Sequence, residues 1–397
     1  MLVCEQPLPS RVRRGSPNFL LQSLVRTGHE VTVICPRPKD GGELAGVRFM
    51  YVPLSFNQFS LFSRLRVMRA MVRMVSLELR RGRYDIIRTI GVIPSYAAIS
   101  GANPGIPIMG NVTDLPTGLY GEYGFPLKSL AIPMLKRMER AVARRLDCAE
   151  VETPLARRKW EELGLPARKV SVLPTGVDSS IFSPNLGRDR EVRDRLGAGS
   201  KSLILWHGDF VEGEGLEILI SATAKLGQEY RLVVAGGGNA AYTEKLRTLS
   251  LQSGSTSVAF TGWVDYEGLP SILGASDLGA YPFQPTKANS QLVIPQKIKE
   301  MIVMKKPIVT TRTEGIGYYL GGIPTYIDSP EDLDEVTDRI RSARNRTLGP
   351  QEVRLVSSIG HRLSWDYILS IDGRLMRALA SGNLSNAAEY DWAVQPN

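Results

Sequence analysis

Residues 203–222 read LILWHGDFVEGEGLEILISA, an apolar run, then a glycine loop with three acids, then a helix with an apolar face. Strand, glycine turn and helix N-terminus in that order are a common way to hold a phosphate, because free backbone N–H groups and the helix dipole attract anions. Asp209, Glu212 and Glu214 would repel one. The stretch therefore predicts a parallel α/β sheet and raises the question whether its phosphate site is altered, lost or something else. The pattern continues outward. "HEVTVIC", "GVRFMYV", "YDIIRTI" and "IPIMGNV" read as strands in the first half, and "VSVLPTG", "SLILWHG", "YRLVVAG", "VAFTGWV", "LGAYPF" and "KPIVTT" in the second, with helix-like segments between them.

Two such runs in 397 residues predict two doubly wound domains, since one core does not grow to that size. The join is expected near "LGLPARKV", where Gly164 and Pro166 interrupt a helix before the strand at Val170. That gives an N-terminal domain over 1–169, a C-terminal domain over 170–370, and a crossover helix with tail over 371–397. The last segment, "ASGNLSNAAEYDWAVQPN", reads as a poorly held terminus.

Composition excludes several classes. Apolar content of 43% and charged content of 22% fit a globular protein, and no uninterrupted apolar run approaches a membrane span. The first residues lack the order of a secretory signal, and Cys4, Cys35 and Cys148 fit neither a disulfide framework nor a zinc site, so a cytoplasmic location is expected. The net charge of +9 is uneven: residues 1–169 hold 26 Lys and Arg against 14 Asp and Glu, leaving 23 against 26 for the remainder. Two segments carry much of the excess. In 61–83, Leu65, Met68, Val72, Val75 and Leu79 form an apolar stripe beside Arg66, Arg69, Arg73 and Arg80. In 127–146, Leu135, Met138 and Val142 lie opposite Lys136, Arg137, Arg140 and Arg144. Such helices either lie on an anionic membrane or simply show solvent a charged face.

The opening loop has neighbours in a fixed order. "VSVLPTGVDSSIFSP" precedes it, and "RLVVAGGGN", "VAFTGWVDYEGLPSILGASDLGAYPF" and "PQKIKEMIVMKKPIVTT" follow. As an ordered set these resemble the C-terminal domain of the GT-B glycosyltransferases of family 4, the retaining nucleotide-sugar transferases. "LLQSLVRTGHEVTVICP" near the start and "SWDYI" near the end extend the resemblance over nearly the whole chain. It implies a GT-B fold, two Rossmann-like domains with a cleft between them, and a donor held mainly by the second.

Carried over by position, the resemblance assigns the donor ribose to Glu300, ahead of Lys306 and Pro307, because a carboxylate accepts from both ribose hydroxyls. Pro295 and Lys297 match a family variant, P-x-K-x-x-E, whose lysine approaches donor phosphate. Gly208 opens the loop, and Gly262 and Trp263 fall where the nucleobase would rest. The departures concern charge. The family's loop has Arg after its glycine and Lys five residues later; this chain has Asp209 and Glu214. The second family acid, eight positions before Glu300, falls on Leu292. The His-Asp pair often found near the reacting sugar is replaced by Thr113 and Asp114 in "GNVTDLP", leaving Asp114 as the catalytic candidate with Thr113 beside it. "PLPSRVRRGSPN" brings Arg11, Arg13, Arg14 and Gly15 to the position of a family glycine pair, for donor phosphate or an anionic acceptor.

Histidine chemistry is not indicated: His29 belongs to the "GHEV" turn and reads as structural, His361 sits in the closing helical region, and the phase of His207 is open. His207 and Asp209 are ordinary metal ligands, but two ligands do not define a site, so metal-independent chemistry without a cofactor is expected. Asp332 and Asp334 imitate an Asp-x-Asp motif but lie at a helix start, where acids are favoured. The expected function is a retaining glycosyltransferase moving a sugar from a nucleotide or other phosphate-activated donor to a glycan or lipid-linked acceptor, with an anionic membrane surface as a further partner. The alternative is a catalytically degenerate GT-B subunit serving as a binding scaffold. Nucleic acid is not the expected partner, because no recognisable module accompanies the charge.

Overall fold

The computed structural model describes residues 1–8, 16–38, 44–53, 61–102, 105–118, 128–253, 257–285 and 291–394. The chain divides into two compact units, Met1–Thr175 with Asp366–Asn397, and Gly176–Trp365.

In the first unit, seven strands form one parallel sheet: β1 (Leu2–Cys4), β2 (Val31–Pro36), β3 (Val47–Val52), β4 (Ile87–Ile90), β5 (Ile108–Asn111), β6 (Cys148–Val151) and β7 (Val170–Val172). Their spatial order is β3-β2-β1-β4-β5-β6-β7. β1, β2 and β6 are buried throughout, as strands covered on both faces by crossover helices must be. The second unit holds β8 (Ser202–Phe210), β9 (Tyr230–Gly238), β10 (Val258–Gly262), β11 (Leu278–Tyr281), β12 (Ile308–Thr311) and β13 (Thr325–Ile327), all parallel, in the order β10-β9-β8-β11-β12-β13. Both units place helices in the crossovers, for example Leu216–Leu226, which buries Leu216, Leu219, Ile220, Thr223 and Leu226 at helical spacing.

Three expectations are corrected. β7, read from sequence as the first strand of the second domain, pairs with β6 and closes the first sheet, so the chain leaves that unit at Thr175 rather than near Val170. It returns at Asp366, within the helix Trp365–Ala380, earlier than the expected 371. The tail is not loose: Asp391 accepts from Val172 N at 2.7 Å and pairs with Arg157 at 2.5 Å, Trp392 N donates to Val172 O, and Ser171 Oγ donates to Tyr390 O. The outer edge of β7 would otherwise leave its backbone groups unpaired, and the tail satisfies them.

Both basic helices form. In Leu61–Leu79 the buried row is Val67, Met71, Val75 and Leu79, one step round from the expected stripe, so Leu65, Met68 and Val72 are only half-buried. Arg66, Arg69 and Arg73 are exposed, and so is Arg80 just beyond. In Lys128–Arg145, Leu135, Met138 and Val142 are buried, while Lys136, Arg137, Arg140 and Arg144 are exposed. Among the described residues, no helix is long and apolar enough to cross a membrane.

Candidate functional site

At the carboxyl end of the second sheet, β8 and β9 stay paired residue by residue as far as Phe210 and Gly238. Close approach explains the glycines. A Cβ on Gly236 (φ 146°) would lie 1.9 Å from the carbonyl oxygen of Gly208, so no side chain fits there. The sequence GDFVEGEG thus begins inside the strand: Asp209 is its exposed penultimate residue, and the loop proper is Val211–Gly215. Gly215 (φ 78°) caps the helix Leu216–Leu226 without a side-chain bond, and a Cβ on it would strike Pro282 O at 2.0 Å.

Opposite the loop stands the helix Gln296–Val303, with Pro295 at its N-cap. Lys297, in its first turn, brings its Nζ to 2.6 Å from Glu214 Oε2. The ammonium lies 4.4 Å from the centroid of the Trp206 ring, with Phe283 at 5.2 Å and Tyr281 at 5.6 Å, an arrangement suited to cation–π attraction. It is also 3.6 Å from the position a Cβ would take on Gly208. Its side chain keeps 13% exposure. Glu214 is therefore not a bare anion at a phosphate position: its charge is matched by a cation from 83 residues further along the chain. Glu212 and Asp209 are exposed.

One turn on, Glu300 is 4% exposed, and its Oε2 lies 2.9 Å from His207 Nε2. His207 Nδ1 lies 3.0 Å from the phenolic oxygen of Tyr281. The open phase of His207 is thus resolved inward. Both ring nitrogens are engaged, which leaves no lone pair for a metal shared with Asp209. Among the described residues, no group of three or more His, Cys, Asp or Glu is arranged to hold a metal ion. Leu292 is buried. Asp332 caps Leu333–Asn345, accepting from the N–H groups of Asp334 and Glu335.

Gly262 (φ 74°) ends β10, and Trp263 follows with 69% exposure. Its indole lies against the backbone of Gly237, where a Cβ would meet Nε1 at 2.5 Å. A large exposed ring on a glycine strand end is a surface on which a planar base can stack.

In the first unit, Thr113 and Asp114 follow β5. Thr113 Oγ1 donates to Asn111 Oδ1 at 3.0 Å, and Asp114 is exposed. The segment is fixed at both ends. Trp160 Nε1 donates to Val112 O at 2.9 Å, and buried Glu139 accepts from Thr117 N and Oγ1 at 2.8 and 3.0 Å. Burial raises the Glu139 carboxyl above its ordinary pKa, and the two bonds from Thr117 oppose that rise. Arg11, Arg13, Arg14 and Gly15 lie outside the described residues.

Sequence reading missed Tyr281, Phe283 and Trp206 as parts of this site. A signal existed for the first two: Tyr281 and Phe283 stand two apart at a strand end, the spacing that puts side chains on one face.

Two all-parallel sheets of this order, with a glycine-lined strand end facing a helix that presents a cation and a carboxylate, define a GT-B glycosyltransferase architecture. Residues 19–176 match the family model for the glycosyl transferase 4-like domain, and residues 201–345 match that for glycosyl transferases group 1. Together the matches span more than half of the chain, which belongs to glycosyltransferase family 4, a family of retaining, nucleotide-sugar-dependent enzymes. Among curated relatives, the chain is 27% identical over 155 residues to a GDP-mannose-dependent alpha-(1-6)-phosphatidylinositol monomannoside mannosyltransferase of Mycobacterium tuberculosis. That match covers 38% of this chain and 40% of the relative. It is 23% identical over 361 residues to a putative teichuronic acid biosynthesis glycosyltransferase of Bacillus subtilis, covering 87% and 89% of the two chains. In fold it resembles sucrose-phosphate synthase from Thermosynechococcus elongatus, with a TM-score of 0.76, 17% identity and coverage of 96% and 99%. It also resembles Anabaena HepE, solved with UDP-glucose, with a TM-score of 0.67, 15% identity and coverage of 95% and 99%.

Proposed function

We propose that the chain is an active hexosyltransferase that takes its nucleotide-sugar donor on the second unit and its acceptor on the first. Glu300 receives the ribose hydroxyls, Trp263 and Gly262 the base, and Lys297 the diphosphate beside Gly208. Pro295 starts the helix that carries Lys297 and Glu300, and Glu214 holds the ammonium in place. Asp114, with Thr113, serves the reacting sugar or the incoming hydroxyl. In a retaining transfer of this kind the bond between the anomeric carbon and the phosphate oxygen breaks. The acceptor oxygen bonds the same carbon on the same face, and its proton passes to the leaving phosphate. Such a step needs a stabilised leaving charge rather than a strong protein nucleophile.

The observation that carries this reading is Lys297, whose ammonium supplies a cation in front of Gly208, where the sequence has lost two. Its test is a panel of nucleotide sugars read by thermal unfolding, with magnesium, with manganese and with chelator. A donor at 100 times its Kd stabilises by about 2.7 kcal/mol. Stabilisation in chelator followed by sugar transfer is the expected result, and no shift with any donor overturns the reading. One observation favours a binding subunit instead: Glu214 neutralises Lys297, the cation that lies in front of Gly208. Binding without turnover over a broad acceptor panel would establish that alternative.

For acceptor and location we infer a lipid-linked or glycan acceptor at an anionic membrane surface. Two exposed arginine rows on the first unit support this, since none of Arg66, Arg69, Arg73, Arg137, Arg140 and Arg144 pairs with an acid among the described residues. The lipid acceptor in the mycobacterial relative's name points the same way. Sedimentation with anionic vesicles at low and high salt decides it; no binding at low salt ends the proposal.

A further inference from the structure

Glu300 does not stand alone. Tyr281, His207 and Glu300 form a buried chain across three elements, β11, β8 and the helix Gln296–Val303, with exposures of 0%, 4% and 4%. Its direction follows from donor counting. Burial, and then the charge of Glu300, keeps the Tyr281 phenol protonated, and its only partner among the described residues is His207 Nδ1, so the O–H donates there. Nδ1 is then the acceptor, and the neutral ring carries its hydrogen on Nε2, aimed at Glu300 Oε2. A doubly protonated ring would turn an N–H on the phenol and leave the phenolic hydrogen without an acceptor. On the carboxylate, Oε1 has no hydrogen-bond partner among the described residues and is not among the polar atoms sealed from solvent.

We propose that His207 is a positioning residue for ribose recognition, its Nε2–H holding one oxygen of Glu300 so that the other meets the ribose hydroxyls, with Tyr281 fixing the tautomer. This rests on the placement of the donor ribose at Glu300 given above. A valine or phenylalanine at 207 would leave a buried carboxylate oxygen without a donor, and the group would then take up a proton or turn away. In either state it accepts from ribose less well. The effect is confined to ligands that have those hydroxyls.

The test compares binding of UDP and GDP with that of their 2′,3′-dideoxy forms, on the full chain. Wild type is expected to prefer the ribose form of whichever nucleotide binds more tightly by tenfold or more, and Glu300→Gln to lose the preference. His207→Phe should lose most of it as well, while affinity for the dideoxy form stays within about twofold. His207→Gln, whose amide can donate to Glu300, should recover part of it, and Tyr281→Phe should show a smaller loss. Because His207 acts through Glu300, the double variant His207→Phe/Glu300→Gln should bind no more weakly than Glu300→Gln. Full ribose preference in a folded His207→Phe protein, or additive losses in the double variant, overturns the proposal. If His207→Phe does not fold, an unchanged preference in Tyr281→Phe overturns it. A wild-type protein that binds nucleotide without ribose preference refutes the placement at Glu300 and this inference with it, whereas loss of preference in Glu300→Gln alone leaves that placement intact and removes only the role of His207.

Discussion

Arg88 in the first unit and Lys297 in the second are both drawn out of water beside carboxylates, and they are treated in opposite ways. Arg88, on β4, is clasped by Glu150 of β6 and by Asp372 of the returning helix, the latter at 3.0 Å. The cluster is sealed: Arg88 Nε and Nη1 and Glu150 Oε1 are buried without hydrogen-bond partners among the described residues. Burial lifts the Glu150 carboxyl well above its ordinary range, and Arg88 works against that rise. Lys297 has one carboxylate, three aromatic rings and a path to solvent. In the first cluster the charges are committed to one another and to holding the C-terminal helix on the sheet. In the second a cation is held in place with part of its surface free, which is what an anionic ligand requires.

Replacing Arg88 by Met should separate the two clusters most sharply. It leaves two buried acids without their cation, so we expect a loss of about 3–5 kcal/mol in urea unfolding. Replacing Arg88, Glu150 and Asp372 together by apolar residues should recover most of that loss. Donor binding by the folded fraction should not change in either protein, and a large change would mean that the clusters are not independent.

At the second cluster the order of effects reverses. Glu300→Ala and Lys297→Met should each reduce donor affinity by about 1.5–3 kcal/mol, the range for a lost charge-assisted hydrogen bond, as measured by calorimetric titration. Unchanged affinity in either removes that residue from the donor site. Glu214→Gln provides the opposite sign. Without its carboxylate the ammonium faces a phosphate uncompensated, and diphosphate affinity should rise by about 1 kcal/mol, the water-screened value of one charge at 4 Å. A fall would mean that holding Lys297 matters more than neutralising it.

The smallest effects belong to the exposed charges of the first unit. Each of Arg66, Arg69 and Arg73 changed singly to Ser should weaken sedimentation with anionic vesicles by about 1 kcal/mol at low ionic strength, fading as salt is added. Salt-independent binding would point instead to an apolar contact.

Much of the architecture was legible because it is written locally. Long apolar runs such as that at Leu203–Trp206 separated by helical patterns gave the parallel sheets, and Asp332 was recognisable as a helix start. β6 and β13 were missed because neither stands out as an apolar run: β6 reads CAEV, with Glu150 inside it, and β13 reads TYI. The Leu61–Leu79 stripe was read one step out of phase, since Leu, Met and Val occur on more than one face of that helix. The positions proposed for ribose, base and phosphate came from an ordered motif set. Part of the apparent hostility of the opening loop to phosphate came from reading Glu214 without its partner Lys297; Asp209 remains an exposed acid there.

The sequence by itself determined the alternation of strands and helices, the family, and the concentration of positive charge in the first half, because each is a property of composition, local period or motif order. Tertiary structure decided where the charge is spent. Glu214 meets Lys297 across 83 residues, His207 meets Glu300 across 93, and Arg88 meets Asp372 across 284. Whether an acid is a bare anion, half of an ion pair or the end of a buried hydrogen-bond chain depends on which groups lie within about 3 Å of it. Packing fixes those distances: that of β8, β11 and the helix Gln296–Val303 in the second unit, and that of β4, β6 and the helix Trp365–Ala380 in the first.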